Sequence, residues 1–204
     1  MPDFSHEYAL NLPLSHIAGI DEVGRGPLAG PVIAAACVLP PYAEQLDIRD
    51  SKKLGEKKRE ALAEELRSIS EWGIGEASPS EIEELNILQA SLLAMKRAIF
   101  ALPSLPKYVL IDGNHIPDIS IPARAIIKGD DRSLTIAAAS IIAKTHRDKL
   151  MKKLAEKYPQ YGWETNSGYP TRQHQEAVKK YGVTRHHRRS FAPIRNILSV
   201  ENKM

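Results

Sequence analysis

Short apolar runs alternate with longer amphipathic segments along this chain, the pattern of an α/β fold. Apolar runs of strand length occupy residues 16–21, 31–39, 71–77, 107–112 and 123–128. Apolar positions at helical spacing predict helices over residues 56–68, from 78 to about 100, from 133 to about 158, and 172–181. Because strands and helices follow each other in turn, we expect some neighbouring strands to be parallel.

The first apolar run ends in two adjacent carboxylates, Asp21 and Glu22, and a glycine-rich turn containing Arg25 follows at once. Successive strand side chains point to opposite faces, so one carboxylate faces inward and needs a cation or several hydrogen-bond donors. The glycines allow backbone N–H groups to approach a ligand closely, and an arginine suits phosphate. The alternative is a strand end with two solvated acids; the flanking glycines favour a metal site.

The run that ends at Asp112 repeats this arrangement, since a carboxylate again precedes a glycine. Two parallel neighbouring strands that end in aspartate place both acids at one edge of the sheet, where ligands of open α/β sheets bind. An ordinary Asp-Gly turn is the alternative. Two further acids, Asp130 and Asp131, precede the helix that begins near Ser133, and either is placed to cap it.

Composition favours one globular domain with at most a small appendage: 204 residues, of which 43% are hydrophobic and 26% charged. The sequence shows neither a signal peptide nor an apolar run of membrane-spanning length, which predicts a cytoplasmic protein without a membrane contact. The single cysteine, Cys37, lies in an apolar run and is expected to be a buried small hydrophobe.

The charge is segregated. Residues 144–195 carry 13 Lys/Arg against 4 Asp/Glu, a net charge of +9, and the rest of the chain is net negative. A segment this basic, with aromatic residues interspersed, favours contact with a polyanion. The alternative is a solvated, lysine-rich helical face. Of the aromatic residues, Trp163 and Phe191 are expected in the core.

The segment IAGIDEVGRGPLAGPV closely resembles the opening motif of ribonuclease HII, the type 2 ribonuclease H family. The later segments DSKKL, IDGN, KGD with IAAASIIAKTHRD, and GYPT resemble the family as well. The resemblance implies a ribonuclease H-like mixed sheet flanked by helices on both faces. It also implies a catalytic core over residues 1–158 and a basic, helical C-terminal extension over 159–204 that packs on the core and contributes to substrate binding.

Residue by residue, the resemblance implies four catalytic and metal-binding carboxylates: Asp21, Glu22, Asp112 and Asp130. Asp131 is then expected to be the helix cap. The implied substrate contacts are Gly24, Arg25 and Gly26 to the ribose 2′-hydroxyl, Ser51 and Lys52 to phosphate, and Tyr169 to the sugar on the DNA side of the junction. One departure is Ser167, where many members have a basic residue, so one contact to the substrate backbone is expected to be missing.

The implied reaction is metal-dependent hydrolysis of the RNA strand of an RNA–DNA hybrid, or of a single ribonucleotide in duplex DNA. Mg²⁺ or Mn²⁺ is the expected cofactor, with two ions when substrate is bound, and the products carry 3′-hydroxyl and 5′-phosphate ends. We expect a monomer. Three alternatives remain: a ribonuclease HIII, which brings an extra N-terminal domain; another nuclease of this fold, such as a junction resolvase; and a non-catalytic hybrid-binding module.

Overall fold

A mixed sheet forms the centre of the computed structural model, which describes residues 2–48 and 55–201. Within these ranges the sheet has five strands in the order β3-β2-β1-β4-β5. The strands are β1 (Ile17–Val23), β2 (Val32–Val38), β3 (Glu71–Ala77), β4 (Tyr108–Asp112) and β5 (Ala123–Ile126). β2 pairs antiparallel with both β1 and β3, whereas β4 pairs parallel with both β1 and β5. The predicted fold class is confirmed.

β1 is longer than the sequence predicts and continues two residues beyond Asp21. The reason is a difference between its two neighbours. Antiparallel pairing with β2 extends to Val23 opposite Ile33, whereas parallel pairing with β4 ends at Ile20 opposite Ile111. Asp21 therefore lies on a strand that is held from one side only, beside the point where the sheet opens.

Helices cover both faces of the sheet. They are α1 (Ser5–Tyr8), α2 (Glu56–Ile69), α3 (Pro79–Leu85), α4 (Ile87–Phe100), α5 (Leu134–Lys157), α6 (Trp163–Asn166), α7 (Arg172–Tyr181) and α8 (Ala192–Glu201). The alanine-rich α5 packs with α2 on one face, and α4 packs on the other. A Cβ atom at Gly19 would overlap the backbone of Thr135, so the glycine is what allows α5 to lie so close to β1.

Two helix boundaries differ from the predictions. The single helix expected from residue 78 to about 100 is broken at Asn86, whose left-handed φ of 70° ends α3. The Asn86 side chain then caps α4 by accepting from the N–H groups of Leu88 and Gln89. At α5 the cap is Ser133, which accepts from the Ile136 N–H, so the expectation that Asp131 caps this helix was wrong.

The C-terminal residues share a hydrophobic core with the rest of the chain. Trp163 is fully buried, as predicted, together with Tyr161 and Val178, against Met151 of α5 and Leu28 of the loop after β1. Phe191 is partly buried and packs at the edge of this cluster. Cys37 is buried in β2, and burial raises the pKa of its thiol to about 12, as expected of an inert core residue. Among the described residues, no helix combines the length and hydrophobicity needed to cross a membrane.

Candidate active site

Three of the predicted carboxylates meet at the end of the β1–β4 pair. Asp21, Glu22 and Asp112 each offer a carboxylate oxygen, and these oxygens all lie within 4.8 Å of one another. The strand register explains the meeting, because Ile20 pairs with Ile111 and the next residue on each strand is an aspartate. Asp21 and Asp112 are predicted from the sequence to lie at one edge of the sheet, and the structure brings them together there.

Hydrogen bonds fix the orientation of these side chains. Asp21 accepts from the N–H of Glu22 at 2.7 Å and from the hydroxyl of Ser140 on α5. Asp112 accepts from the N–H of Gly129 at 2.6 Å. Arg25 lies 3.2 Å from Glu22, so its guanidinium faces the cluster from the glycine-rich loop.

The crowded carboxylates are electrostatically unfavourable without a cation. Burial raises the pKa of Asp21 well above its usual value, and the negative charges of Glu22 and Asp112 raise it further. Burial also raises the pKa of Glu22, although Arg25 opposes this effect. Oε2 of Glu22 is buried and has no hydrogen-bond partner among the described residues.

The fourth predicted carboxylate, Asp130, lies close by but outside this group of three. It sits in the 3₁₀ turn Gly129–Asp131, which begins at the residue that donates to Asp112. Asp130 is buried, unlike Asp131, and its negative charge contributes to the raised pKa of Asp21.

A cleft of about 380 Å³ opens over the acids and collects the predicted substrate contacts. Besides the acids of β1 and β4, its lining includes Gly24, Arg25, Gly26, Ser140, Lys144 and Tyr169. The Tyr169 ring stands close to the loop, since a Cβ atom at Gly26 would lie 3.4 Å from Tyr169 Cε1. Ser51 and Lys52, the predicted phosphate contacts, lie outside the described residues.

Comparison with known proteins gives the family. Residues 18–194 match the family model described as "Ribonuclease HII". A protein named ribonuclease HII from Ruegeria pomeroyi is 56% identical over 203 residues, covering 98% of this chain and 86% of that protein. The chain belongs to the ribonuclease HII family. It is therefore a metal-dependent endoribonuclease, which excludes a module that only binds hybrids.

Two further ribonucleases H give the same result. The ribonuclease HII of Neisseria meningitidis serogroup B is 53% identical, covering 89% of this chain and 95% of that protein. The crystal structure of ribonuclease H2 from Pyrococcus horikoshii OT3 superposes with a TM-score of 0.79 at 29% identity, covering 92% of this chain and 99% of that one. These matches confirm the resemblance seen in the sequence.

Two residues that line the candidate site of this ribonuclease HII family member were not predicted as site residues from the sequence. Ser140 and Lys144 line the cleft one helical turn apart, and Lys144 also pairs with Asp148 at 2.6 Å. The available signal was polar residues four positions apart in a helix that is otherwise made of alanine and isoleucine over residues 136–143.

The basic segment 144–195 is only partly a surface. Two of its arginines, Arg147 and Arg188, are buried at 1% and 0% exposure and cannot contact phosphate. Both donate to backbone carbonyl oxygens instead. The sequence could not separate these two from the exposed cations, because burial at these positions depends on how the glycine-rich loop folds around them.

A buried histidine pair supports Tyr169 from behind. Trp163 donates to Nε2 of His174, so Nδ1 of His174 carries the proton and donates to the Tyr169 carbonyl at 2.9 Å. His187 accepts from the Thr184 N–H at Nδ1, so its protonated Nε2 faces His174 at 3.2 Å. Burial lowers the pKa of His187 to about 3 and also lowers that of His174, which keeps both rings neutral.

Proposed function

We propose that this protein hydrolyses the RNA strand of RNA–DNA hybrids and also cleaves at a single ribonucleotide embedded in duplex DNA. One observation carries the proposal: the cluster of Asp21, Glu22 and Asp112 opens into the same cleft as Gly26 and Tyr169. Carboxylates that assemble beside a polyanion need a cation between them and the substrate, and the glycine-rich loop offers backbone N–H groups near a sugar.

The donor set fits a hard divalent cation. Carboxylate oxygens are the ligands that Mg²⁺ and Mn²⁺ prefer, and a metal ion in the cluster would give the unpartnered, buried Oε2 of Glu22 a partner. We propose Mg²⁺ or Mn²⁺, with two ions when substrate is bound, held by Asp21, Glu22, Asp112 and Asp130. Held by these carboxylates, the ions would supply activation of the attacking water and stabilisation of the leaving oxygen of the phosphodiester.

The protein's own groups then have distinct tasks. Ser140 holds the Asp21 carboxylate in orientation, and the Gly129 N–H does the same for Asp112, so the ligands are positioned before the metal binds. Asp130 is proposed as a ligand because it is buried and electrostatically coupled to Asp21. With water as the nucleophile and the ribose 3′-oxygen as the proposed leaving group, the P–O3′ bond breaks and the products carry 3′-hydroxyl and 5′-phosphate ends.

Substrate selection is assigned to the walls of the cleft. The backbone of residues 24–26 is proposed to contact the ribose 2′-hydroxyl, the group that distinguishes RNA from DNA, with Arg25 beside the neighbouring phosphate. The ring of Tyr169, 44% exposed at the cleft, is proposed to pack on the sugar at the DNA side of the junction. The roles of Ser51 and Lys52 stay predictions from the sequence.

The exposed cations of the C-terminal extension, among them Arg185 and Arg189, are proposed to contact the phosphates of the duplex. Support comes from the shared core that joins Trp163 of the extension to Leu28 of the glycine-rich loop, because it fixes the extension beside the cleft. We further propose that the protein acts as a monomer in the cytoplasm, without a membrane contact.

Cleavage of three matched duplexes tests the proposal. The first contains one ribonucleotide, the second is an RNA–DNA hybrid and the third is all DNA. We expect Mg²⁺-dependent cleavage of the first two duplexes and no cleavage of the third. Tyr169→Ala is expected to slow cleavage of the single-ribonucleotide duplex about tenfold more than cleavage of the hybrid. Tyr169→Phe, which keeps the ring, is the control. Cleavage of the all-DNA duplex, or binding without any cleavage, would contradict the proposal.

A further inference from the structure

The glycine-rich loop between β1 and β2 folds around a single buried side chain. Arg188 donates from Nε to the Gly30 carbonyl at 2.9 Å, from Nη1 to the Arg25 carbonyl at 2.9 Å and from Nη2 to the Gly24 carbonyl at 2.5 Å. The side chain is fully buried, and its guanidinium lies 5.1 Å from the centre of the Phe191 ring. One guanidinium thus joins both ends of the loop.

These contacts determine where the loop's N–H groups point. A trans peptide is planar, so its N–H points opposite to its C=O, and the chain has no cis peptide among the described residues. Because Arg188 holds the Gly24 and Arg25 carbonyls on the inner side, the N–H groups of Arg25 and Gly26 point outward. Neither N–H has a hydrogen-bond acceptor within the described ranges, and both residues line the cleft.

The far end of the loop is fixed just as firmly. Arg147 donates to the carbonyls of Ala29, Pro31 and Ser167, which connects the loop to the turn that carries Tyr169. The backbone also pairs directly. Leu28 donates to the Gly168 carbonyl and accepts from the Arg188 N–H, both within 2.8 Å. The loop and the Tyr169 turn are therefore held as one platform beside the acids.

A lysine could not replace Arg188 in this arrangement. Its ammonium is a single point at the end of the chain, whereas the three carbonyl groups of Gly24, Arg25 and Gly30 are met by three separate nitrogen atoms of a planar fork. Burial of a charged group costs desolvation free energy, and the hydrogen bonds to these carbonyl groups offset that cost for the fully buried Arg188. The fork and the loop conformation depend on each other.

We propose that Arg188 is a positioning residue that directs the N–H groups of Arg25 and Gly26 into the cleft, and that discrimination between ribose and deoxyribose depends on this orientation. The orientation of the two N–H groups follows from the contacts alone, whereas their role in discriminating ribose from deoxyribose rests on the function proposed above. Arg188 acts through the loop and does not touch substrate. This role differs from the phosphate contact that the basic sequence suggests.

The test compares Arg188→Lys with wild type by binding, without cleavage, in EDTA. Affinities are measured for a duplex with one ribonucleotide and for the same duplex made entirely of DNA. We expect the ribonucleotide preference of the wild type to fall by about tenfold in the variant, because two directed N–H groups are lost, while affinity for the all-DNA duplex stays within about twofold. Arg67→Lys is the matched control, since Arg67 donates to Thr145 on α5, outside the loop.

A role in stability alone predicts a different result. Arg188→Lys would then lower the melting temperature and leave the ribonucleotide preference of the folded protein unchanged, which would overturn the inference. Failure of the proposed function shows itself differently, because the wild type would then neither prefer nor cleave the ribonucleotide duplex. In that case the inference is wrong about substrate, and the measurement below still decides whether Arg188 orders the loop.

Backbone ¹⁵N relaxation of the wild type provides the second measurement and does not require a folded variant. The order parameters of Arg25 and Gly26, without substrate, are expected near the value of about 0.85 that is typical of rigid strands. Values below about 0.6 would show a loop that Arg188 does not hold, and would overturn the inference. In Arg188→Lys, if it folds, the same two amides are expected to become mobile, whereas those of β1 are not.

Discussion

Asp21 and Asp112 are the first residues beyond the parallel pairing of β1 with β4, which ends at Ile20 opposite Ile111. Each aspartate therefore emerges where the two strands part, and their carboxylate oxygens approach within 4.8 Å. On β1 the opposite edge stays paired with β2, which keeps Asp21 in a fixed position. The candidate active site of this ribonuclease HII family member is thus created by strand register, to which the helix α5 adds Ser140.

Replacing the acidic residues one at a time tests how much each contributes to catalysis and to hybrid binding. We expect Asp21→Asn and Asp112→Asn each to lower kcat by more than about a hundredfold, because a metal ligand provides several kcal/mol of transition-state stabilisation. Asp130→Asn is expected to lower kcat as well. Hybrid binding should be unchanged, since one negative charge fewer does not weaken association with a polyanion. Cleavage kinetics and band-shift affinities measure the two effects.

The neighbour of Asp130 supplies the matched control. Asp131 is exposed and adjacent in sequence, so Asp131→Asn is expected to retain wild-type kcat within about twofold. Equal losses from Asp130→Asn and Asp131→Asn would mean that this turn contributes shape rather than a ligand. Retention of more than about a tenth of the activity in Asp21→Asn would remove Asp21 from the metal site.

In the absence of a divalent cation, we expect Asp21→Asn to increase the stability of the protein, although the same substitution lowers its activity. The raised pKa of Asp21 means that its carboxylate costs the folded state free energy, a cost that is absent well below the usual pKa of 3.8 and present once pH exceeds the raised value. Asp21→Asn removes this cost. We expect its melting temperature in EDTA to exceed that of the wild type by about 2–4 °C for each kcal/mol of repulsion relieved.

Mg²⁺ is expected to raise the melting temperature of the wild type more than that of Asp21→Asn, because the ion neutralises a repulsion that the variant lacks. Differential scanning calorimetry with and without Mg²⁺ measures both effects. A variant less stable than the wild type in EDTA would show that the carboxylates are satisfied by the protein alone.

Acid should weaken the C-terminal core through His187. In the folded protein the pKa of His187 is about 3, below its usual value of 6.5. Between these two pH values the unfolded chain binds a proton at this residue and the folded chain does not, so stability falls as the pH drops from about 6.5 towards 3. Between pH 7 and pH 4 this loss amounts to about 3 kcal/mol. His187→Gln, which keeps a donor for His174 and an acceptor for Thr184, should lose correspondingly less.

Urea unfolding of both proteins at pH 7 and pH 4 checks this prediction. The difference between wild type and variant isolates His187 from the carboxylates, which titrate in both. His115→Gln is the control, because His115 is exposed. Identical losses of stability on acidification in wild type and His187→Gln would contradict the neutral histidine pair.

Features of the fold and the candidate site could be predicted from the sequence where the local pattern of apolar and polar residues reveals them, and not elsewhere. Asp21 and Asp112 each follow an apolar run, so strand logic alone placed them together. The break at Asn86 was missed because the apolar stripe of α3 continues into α4, and a left-handed residue leaves no mark on that periodicity. Ser133 was passed over as a helix cap because the acids before it suit the same position.

Charge was the least reliable guide. The net charge of residues 144–195 favours a polyanion, yet Arg147 and Arg188 are used inside the protein, to hold carbonyl groups of the glycine-rich loop. Their burial follows from tertiary contacts across more than 100 positions of the chain, which local pattern does not encode. Only the exposed cations remain candidates for phosphate.

The salt dependence of hybrid binding tests whether the exposed basic residues contact phosphate. We expect a steep decrease of affinity with salt, and the slope of log K against log[salt] is expected to shrink by about 1 for each of Arg185→Gln and Arg189→Gln. Lys107→Gln is the control, because Lys107 precedes β4 at the end of the strand opposite to Asp112. A salt slope that is flat in the wild type, or equal in all variants, would remove the extension from the binding surface.

Crystals grown with Mn²⁺ test the central claim most directly, because anomalous scattering locates the ion independently of any assay. We expect an anomalous peak about 2.0–2.3 Å from carboxylate oxygens of Asp21, Glu22 and Asp112, and we expect this peak to be lost in crystals of Asp21→Asn. Peaks found only elsewhere on the protein, with these three carboxylates free of metal at saturating Mn²⁺, would contradict it.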